Sequence, residues 1–247
     1  MYGQCMSDIS DRYAATAGLY DLMAASYRPA QLAALESLLA VLRPEAGPVL
    51  DLGAGSGLNT MVVLDRVPEA HVFAIEPSAT MRALILDKLA ARPDRHHRVT
   101  VRPEDFFSAP LPDRLGGAIA LGVLGHFDPG ERAAVIAEIA DRLPVGGAAL
   151  FDLQAPARPQ RVEPFEFTVA DIGDLTYRAI AEAWPVDEDR MRWRMSYLTL
   201  EGERVLVEDT VEHEFHHPDP ARVSEEAEQV GARLQRLGES TFWLLTR

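Results

Sequence analysis

The clearest chemical spacing in this chain belongs to Gly53, Gly55 and Gly57, within Val49-Leu50-Asp51-Leu52-Gly53-Ala54-Gly55-Ser56-Gly57-Leu58-Asn59-Thr60. Glycine lets a backbone turn sharply and approach a ligand closely, because no Cβ stands in the way. A helix that begins directly after the turn presents unpaired N–H groups. An apolar strand, a glycine turn and a helix start in that order describe a nucleotide-type site. Asp51 stands just before the turn, where a carboxylate can meet a cationic ligand group. Glu76 ends the next apolar run, about where an acid would reach a ribose diol. Of two commoner phosphate sites, one is excluded and the other disfavoured. No Gly-Lys-Ser/Thr follows, as a P-loop requires, and Leu58 stands where the dinucleotide fingerprint has its third glycine.

A second chemistry rests on histidine, whose unperturbed pKa lies near neutrality and makes it the ordinary base. Of the seven histidines, His126 is the best placed. It follows the apolar run 117–121, at the carboxyl edge of the sheet where open α/β folds bind ligands. Removing a proton from a hydroxyl is the work it could do; capping the helix that follows, or packing under a bound ligand, is the alternative. His213, His216 and His217 form another cluster. On a strand, His213 and His217 would share a face, lining a pocket or holding a metal with Asp152 or Asp209. Their spacing matches no zinc pattern, so no metal is expected. Trp184, Trp193, Tyr177 and Tyr197 could wall an apolar or sugar-stacking pocket, or pack a sheet onto the core. Tyr13, Tyr20 and Tyr27 are seven apart, close to two helical turns, and could share one face. Cys5 has no cysteine partner, and a terminal thiol without a role is expected.

The elements that must position these groups follow from periodicity. Residues 31–42 are strongly amphipathic, with Leu32, Leu35, Leu38, Leu39 and Leu42 on one stripe. Strands are expected at 48–52, 71–75, 98–101, 117–121 and 148–153, alternating with helices at 59–66, 78–91 and 129–143. Apolar strands alternating with amphipathic helices mean a parallel sheet covered on both faces. Right-handed crossovers then make the α/β doubly wound, Rossmann-like arrangement the natural solution. The pattern changes near Gln154. Residues 175–183, 190–200 and 204–216 read as antiparallel strands, the last two joined at Glu201-Gly202-Glu203. A helix over 220–237 and a strand over 240–246 close the chain. The division expected is a cofactor-binding core over 1–153, an antiparallel β insertion over 154–217, and a final helix and strand over 218–247.

The chain has 247 residues, a net charge of −14 and 47% hydrophobic residues. That length supports a sizeable core without disulfides, and a single cysteine suits a reducing cytoplasm. An acidic chain without a basic run disfavours nucleic acid. No apolar stretch reaches membrane-spanning length, and residues 1–10 lack a secretion signal.

The glycine turn with its flanking acids resembles motif I of the Rossmann-like (class I) S-adenosylmethionine-dependent methyltransferases, small-molecule type. The resemblance covers residues 13–153 well and the final helix and strand loosely. It implies that Gly53, Gly55 and Gly57, with Asp51, Ala54 and Asn59 of the same motif, approach the methionine and ribose portions of S-adenosyl-L-methionine. It also implies that Glu76 holds the ribose hydroxyls. In this family an acid after the third strand reads the adenine amino group; Asp105, followed by Phe106, is the match, with Glu104 beside it. Met81, one turn past Pro77, would pack on adenine, and Leu121 and Gly122 would line the sulfonium. The N-terminal tyrosine segment resembles the family's lid, with Tyr13 and Tyr20 as contacts. A sheet grafted after the fifth strand covers the active site or mediates dimerisation in such enzymes. Tyr27, Trp184, Trp193, Tyr197 and His213 are therefore the candidate acceptor contacts, and a homodimer is possible.

The Asp/Asn-Pro-Pro-Tyr/Phe signature of amino-nitrogen methylation of bases is missing, as is the Pro-Cys pair of cytosine C5 methylation. The expectation is methyl transfer to a hydroxyl of a small molecule such as a sugar or natural product, with His126 as base and S-adenosyl-L-homocysteine as product. N-methylation of an amino sugar or other small amine is the alternative, and needs no strong base. A non-catalytic cofactor-binding partner subunit is the rival of another class, disfavoured by the intact glycine turn. A nicotinamide oxidoreductase is disfavoured by Leu58 and the antiparallel insertion.

Overall fold

The computed structural model describes Asp11 and residues 13–247; Cys5 lies outside the described residues. Five short strands run parallel: β1 (Val49–Leu52), β2 (Val72–Ile75), β3 (Val99–Arg102), β4 (Gly117–Ala120) and β5 (Ala148–Asp152). β1 and β4 are buried along their whole length, as strands covered on both faces must be. The sheet order is β10-β11-β5-β4-β1-β2-β3. It reverses direction between β4 and β1, the point where open α/β sheets leave a crevice at their carboxyl edge. The helices are α1 (Ala17–Ala24), α2 (Arg28–Leu39), α3 (Leu58–Arg66), α4 (Ala79–Ala90), α5 (Pro129–Arg142) and α6 (Pro220–Gln229). The fold is the doubly wound arrangement expected from the periodicity.

Two local expectations fail for physical reasons. The last helix ends at Gln229, eight residues before the expected Leu237. Gly231 takes φ +72°, and the Ala232 N–H returns to the Ala227 carbonyl at 3.0 Å. This is a glycine helix stop. The chain then forms β10 (Arg233–Arg236) and turns back as β11 (Phe242–Thr246), antiparallel to β5. The second difference is an unforeseen strand, β6 (Val162–Ile172), which contains Pro164. A sheet tolerates proline on an edge strand, and β6 is an edge, with register shifts between Val162 and Phe165 and between Glu166 and Thr168.

β6 joins β7 (Leu175–Pro185), β8 (Arg190–Glu201) and β9 (Arg204–His216) in a separate four-stranded antiparallel sheet. Alternation gives it two unlike faces. On one face Ala179, Ala181, Ala183 and Met191 are buried. This face meets α1, where the Thr168 hydroxyl donates to the Met23 carbonyl at 3.0 Å. It also meets the turn after β4: a Cβ on Gly125 would lie 2.9 Å from the His216 carbonyl oxygen. The other face carries an ion-pair ladder, with Arg178 on Glu166, Arg192 on Glu214, and Arg194 on both Glu182 and Glu212.

Candidate active site

β1 delivers Asp51 to the carboxyl edge of the sheet, where it is buried and accepts a hydrogen bond from the Thr60 hydroxyl at 2.5 Å. Burial, only partly offset by that bond, pushes its carboxyl up to about 6. The chain then turns through Gly53, Gly55 and Gly57, all at positive φ. At Gly53 (φ +64°) a Cβ would lie 2.9 Å from the Val123 side chain, so both conformation and space demand glycine. Glu76, at the end of β2, is the keystone of the turn. One carboxylate oxygen accepts the Gly55 N–H at 2.8 Å and the other accepts the Ser78 N–H at 2.8 Å. Burial raises its pKa, and these two bonds oppose the rise. Each oxygen keeps a second lone pair.

Gly55 lies between Tyr20 and Met81: a Cβ there would stand 3.6 Å from the Tyr20 hydroxyl and 3.6 Å from Met81 Cε. Ala54 is held by the Ile75 carbonyl, its N–H donating at 3.0 Å. Gly122 (φ +69°) opens on space, since a Cβ there would meet nothing within 4 Å. Leu121 is buried behind it.

These residues fit S-adenosylmethionine. Glu76 has acceptor capacity for a ribose diol, Met81 and Tyr20 supply apolar walls, and Asp51 stands ready for an ammonium group. Bound there, the cofactor supplies an activated methyl group on a sulfonium.

The adenine side departs from what the resemblance implies. Asp105 is exposed, and its carboxylate is occupied within its own turn, accepting the Phe107 and Ser108 N–H groups at 2.9 and 3.0 Å and the Ser108 hydroxyl at 2.9 Å. Glu104 pairs with Arg102, which holds its carboxyl below the usual range. Phe106 is buried in the core against Phe107 and Phe127. Pro77 is exposed, and its carbonyl accepts from Arg82 at 2.6 Å.

On the other side of the crevice, His126 ends a 3-10 turn after β4. Its Nε2 lies 3.4 Å from the Tyr13 hydroxyl, and its ring meets Phe215 edge-on at 4.9 Å. It is not the cap of α5: Asp128 and Glu131 form that capping box reciprocally. Tyr13, Tyr20 and Tyr27 do not share one helix. Tyr13 precedes α1, Tyr20 lies within it and Tyr27 caps α2. They still converge, with the Tyr13 and Tyr20 rings 6.3 Å apart, and Tyr27, whose hydroxyl burial pushes up, hydrogen-bonded to Tyr20. His213 reaches the same place, its ring 6.3 Å from Tyr13 and 5.9 Å from Phe215. Tyr197 shares that side of the sheet, its hydroxyl pushed to about 12 by burial and the neighbouring tyrosines.

Trp193 sits opposite His213 on the inner face, and its indole N–H donates to His217 Nε2 at 2.9 Å. His217 Nδ1 pairs with the Pro156 carbonyl at 3.0 Å, so it acts as a brace and stands off the strand that carries His213. Trp184 goes elsewhere. Its register partner is Arg192, on the outer face, where it lies under Arg194 at 5.2 Å and Arg161 at 5.9 Å. Among the described residues no group of three His, Cys, Asp or Glu could hold a metal ion.

Two site-forming residues escaped the sequence reading, and a third, Asp152, was considered there only as a metal partner. Arg28 reaches from α2 to the glycine turn, donating to Asn59 Oδ1 at 2.5 Å and to the Leu58 carbonyl at 3.0 Å. Asp11 fastens the N-terminal segment to the start of α4. Its Oδ2 accepts from the Ser78 hydroxyl (2.8 Å), the Thr80 N–H (2.9 Å) and the Thr80 hydroxyl (2.8 Å). Burial would raise its carboxyl, but these bonds hold it down at about 2. Neither residue has a fixed spacing from the motif it serves. Asp152 did carry a signal, as an acid at a strand end like Asp51 and Glu76.

A seven-stranded sheet of this order, with a glycine turn after β1 and an acid ending β2, defines the class I Rossmann-like methyltransferase fold. Residues 49–147 match the family model described as a methyltransferase domain. The chain therefore carries a methyltransferase domain within this fold. Among curated proteins, none matches its sequence.

Solved structures share its architecture. The sugar N-methyltransferase KedS8 from Streptoalloteichus sp ATCC 53650 is 18% identical, covers 100% of this chain and 96% of its own, and gives a TM-score of 0.67. CalS10, an amino pentose methyltransferase from Micromonospora echinaspora solved with bound S-adenosylmethionine, is 16% identical over 93% of this chain and 95% of its own, with a TM-score of 0.72. Streptomyces venezuelae DesVI is 17% identical over 93% of this chain and 97% of its own, with a TM-score of 0.73.

Proposed function

We propose that this enzyme methylates an amino group of a small molecule, an amino sugar or a natural product that carries one. The observation that carries the reading is the wall of the acceptor side. Tyr13, Tyr20, Tyr27 and Tyr197 converge there with His126 and His213, and tyrosine faces attract a cation. The neighbours lend support: KedS8 is a sugar N-methyltransferase, CalS10 an amino pentose methyltransferase, and a glycopeptide N-methyltransferase, MtfA, is 23% identical with a TM-score of 0.53. In this reading residues 1–153 and 218–247 hold the cofactor, and residues 154–217 frame the acceptor.

The hydroxyl reading has one specific support, the hydrogen-bond distance between His126 Nε2 and the Tyr13 hydroxyl, an arrangement suited to a base. The test is release of S-adenosylhomocysteine with acceptor pairs that differ only in amine against hydroxyl, in wild type and His126→Ala. Methylation of the amines, with His126→Ala retaining at least about a tenth of wild-type turnover, supports the amine reading. Methylation of hydroxyls alone, abolished by His126→Ala by the 10²–10⁴-fold or so that general bases supply, overturns it.

A further inference from the structure

One carboxylate beside the acceptor space has no assigned work. Asp152 ends β5, next to the end of β4, and its Oδ1 accepts the Gly122 N–H at 2.6 Å. No side chain among the described residues hydrogen-bonds to it. Asp152 is half-buried, whereas two buried acids are matched: Glu226 holds Arg132 at 2.7 Å, and Asp51 takes the Thr60 hydroxyl. Two titratable groups face Asp152. Tyr27 approaches from the start of α2. His216, from the end of β9, lines the same small cavity with Gln154 and Pro218, but its Nδ1 is engaged by Asp189 at 3.0 Å. A charge without a cationic partner is costly to bury, and burial pushes the Asp152 carboxyl up to about 6. Among the described residues no cationic side chain pairs with Asp152, and Gly122 leaves open space beside it.

We propose that Asp152 selects the amine acceptor: its carboxylate receives the acceptor's ammonium beside the Gly122 turn and removes one proton from it. This rests on the amine reading above. The ammonium R–NH3+ gives one proton to the carboxylate, leaving R–NH2 and a neutral Asp152. The nitrogen lone pair forms a bond to the cofactor's methyl carbon while the carbon–sulfur bond breaks and its electron pair stays on sulfur. The products are R–NH2+–CH3 and S-adenosylhomocysteine, and Asp152 returns its proton to water. The match of acid strengths makes this selective. An amine flanked by electron-withdrawing groups titrates near the α-amino value, about 8, roughly two units from Asp152. An alcohol, close to bulk water at about 16, lies far outside its reach.

Sinefungin tests this without knowledge of the acceptor, because it carries an amine in place of the sulfonium methyl unit. Wild type should bind sinefungin about tenfold more tightly than S-adenosylhomocysteine near pH 7, as a charged hydrogen bond allows. That preference should fade as the pH falls through about 6. Asp152→Asn should lose the preference while its affinity for S-adenosylhomocysteine stays within about twofold. Asp152→Ser, read in the same way, serves if the Asn variant fails to fold. Unchanged preference in a folded variant, or equal loss for both ligands, overturns the role of Asp152. Failure of wild type to bind either ligand would overturn the cofactor assignment instead.

Discussion

The two sides of the crevice are built by different means. The proposed cofactor side is made of backbone and of acids that hold backbone: Gly53, Gly55 and Gly57 turn the chain, and Glu76 grips the Gly55 and Ser78 N–H groups. Its parts lie within one strand-turn-helix unit and the strand beside it. The proposed acceptor side is made of side chains brought from far apart: Tyr13 from the segment before α1, Tyr27 from the start of α2, His126 from the turn after β4, His213 from β9, and Asp152 from β5. The first side is a local device that many sequences can specify in the same way. The second depends on how a separate sheet is laid over the first, so it can vary without disturbing the core.

This contrast can be broken at its strongest point first. Glu76→Ala removes a partner from two backbone N–H groups, each charge-assisted bond contributing about 1.5–3 kcal/mol. Affinity for S-adenosylhomocysteine should fall at least about 100-fold by calorimetry. An unchanged constant would show that the cofactor side does not depend on this acid.

The next effect is one of pH. Asp51 has its folded pKa raised to about 6, so below about 6 the folded protein holds a proton there. A cationic ligand group favours the ionised form, so binding must release that proton. Affinity for S-adenosylhomocysteine should therefore rise from pH 5 to 7, by at most about tenfold per unit per proton, with proton release visible as a buffer-dependent heat. For stability the sign is opposite. A raised carboxyl favours the folded state most below the ordinary carboxylate range, and this contribution is lost as the pH rises toward 6. A flat affinity between pH 5 and 7 would remove Asp51 from the cofactor site.

The smallest effect tests the face assignment of the sheet. Trp184→Leu removes an exposed-face stack on Arg194 and Arg161. It should cost about 0.5–1 kcal/mol of stability and leave turnover unchanged. A large loss of turnover would place Trp184 in the acceptor pocket after all.

How much of this was legible follows from particular residues. Trp184 and Trp193 look equivalent as aromatic residues of one insertion. The antiparallel register decides between them, sending Trp193 inward beside His213 and Trp184 outward beside Arg192. The end of α6 was legible in principle, since Gly231 is a helix stop, but the periodicity of 220–237 masked it. β6 was hidden by Pro164, which an edge strand tolerates and a central strand does not. Asp105 carries the motif of an adenine contact, yet its carboxylate closes its own turn. A motif specifies residue type and place, while the direction of a side chain depends on the hydrogen bonds nearest to it.

By itself, the sequence determined the parallel core, the glycine turn and the strand-end acids Asp51 and Glu76. Each of these is a local match between residue type and backbone geometry. Tertiary structure alone decided the company of His126, the latch of Asp11 on α4, the reach of Arg28 and the setting of Asp152. Those contacts join residues 30 or more positions apart, and only the packing of the second sheet and the N-terminal helices against the carboxyl edge brings them within hydrogen-bond range.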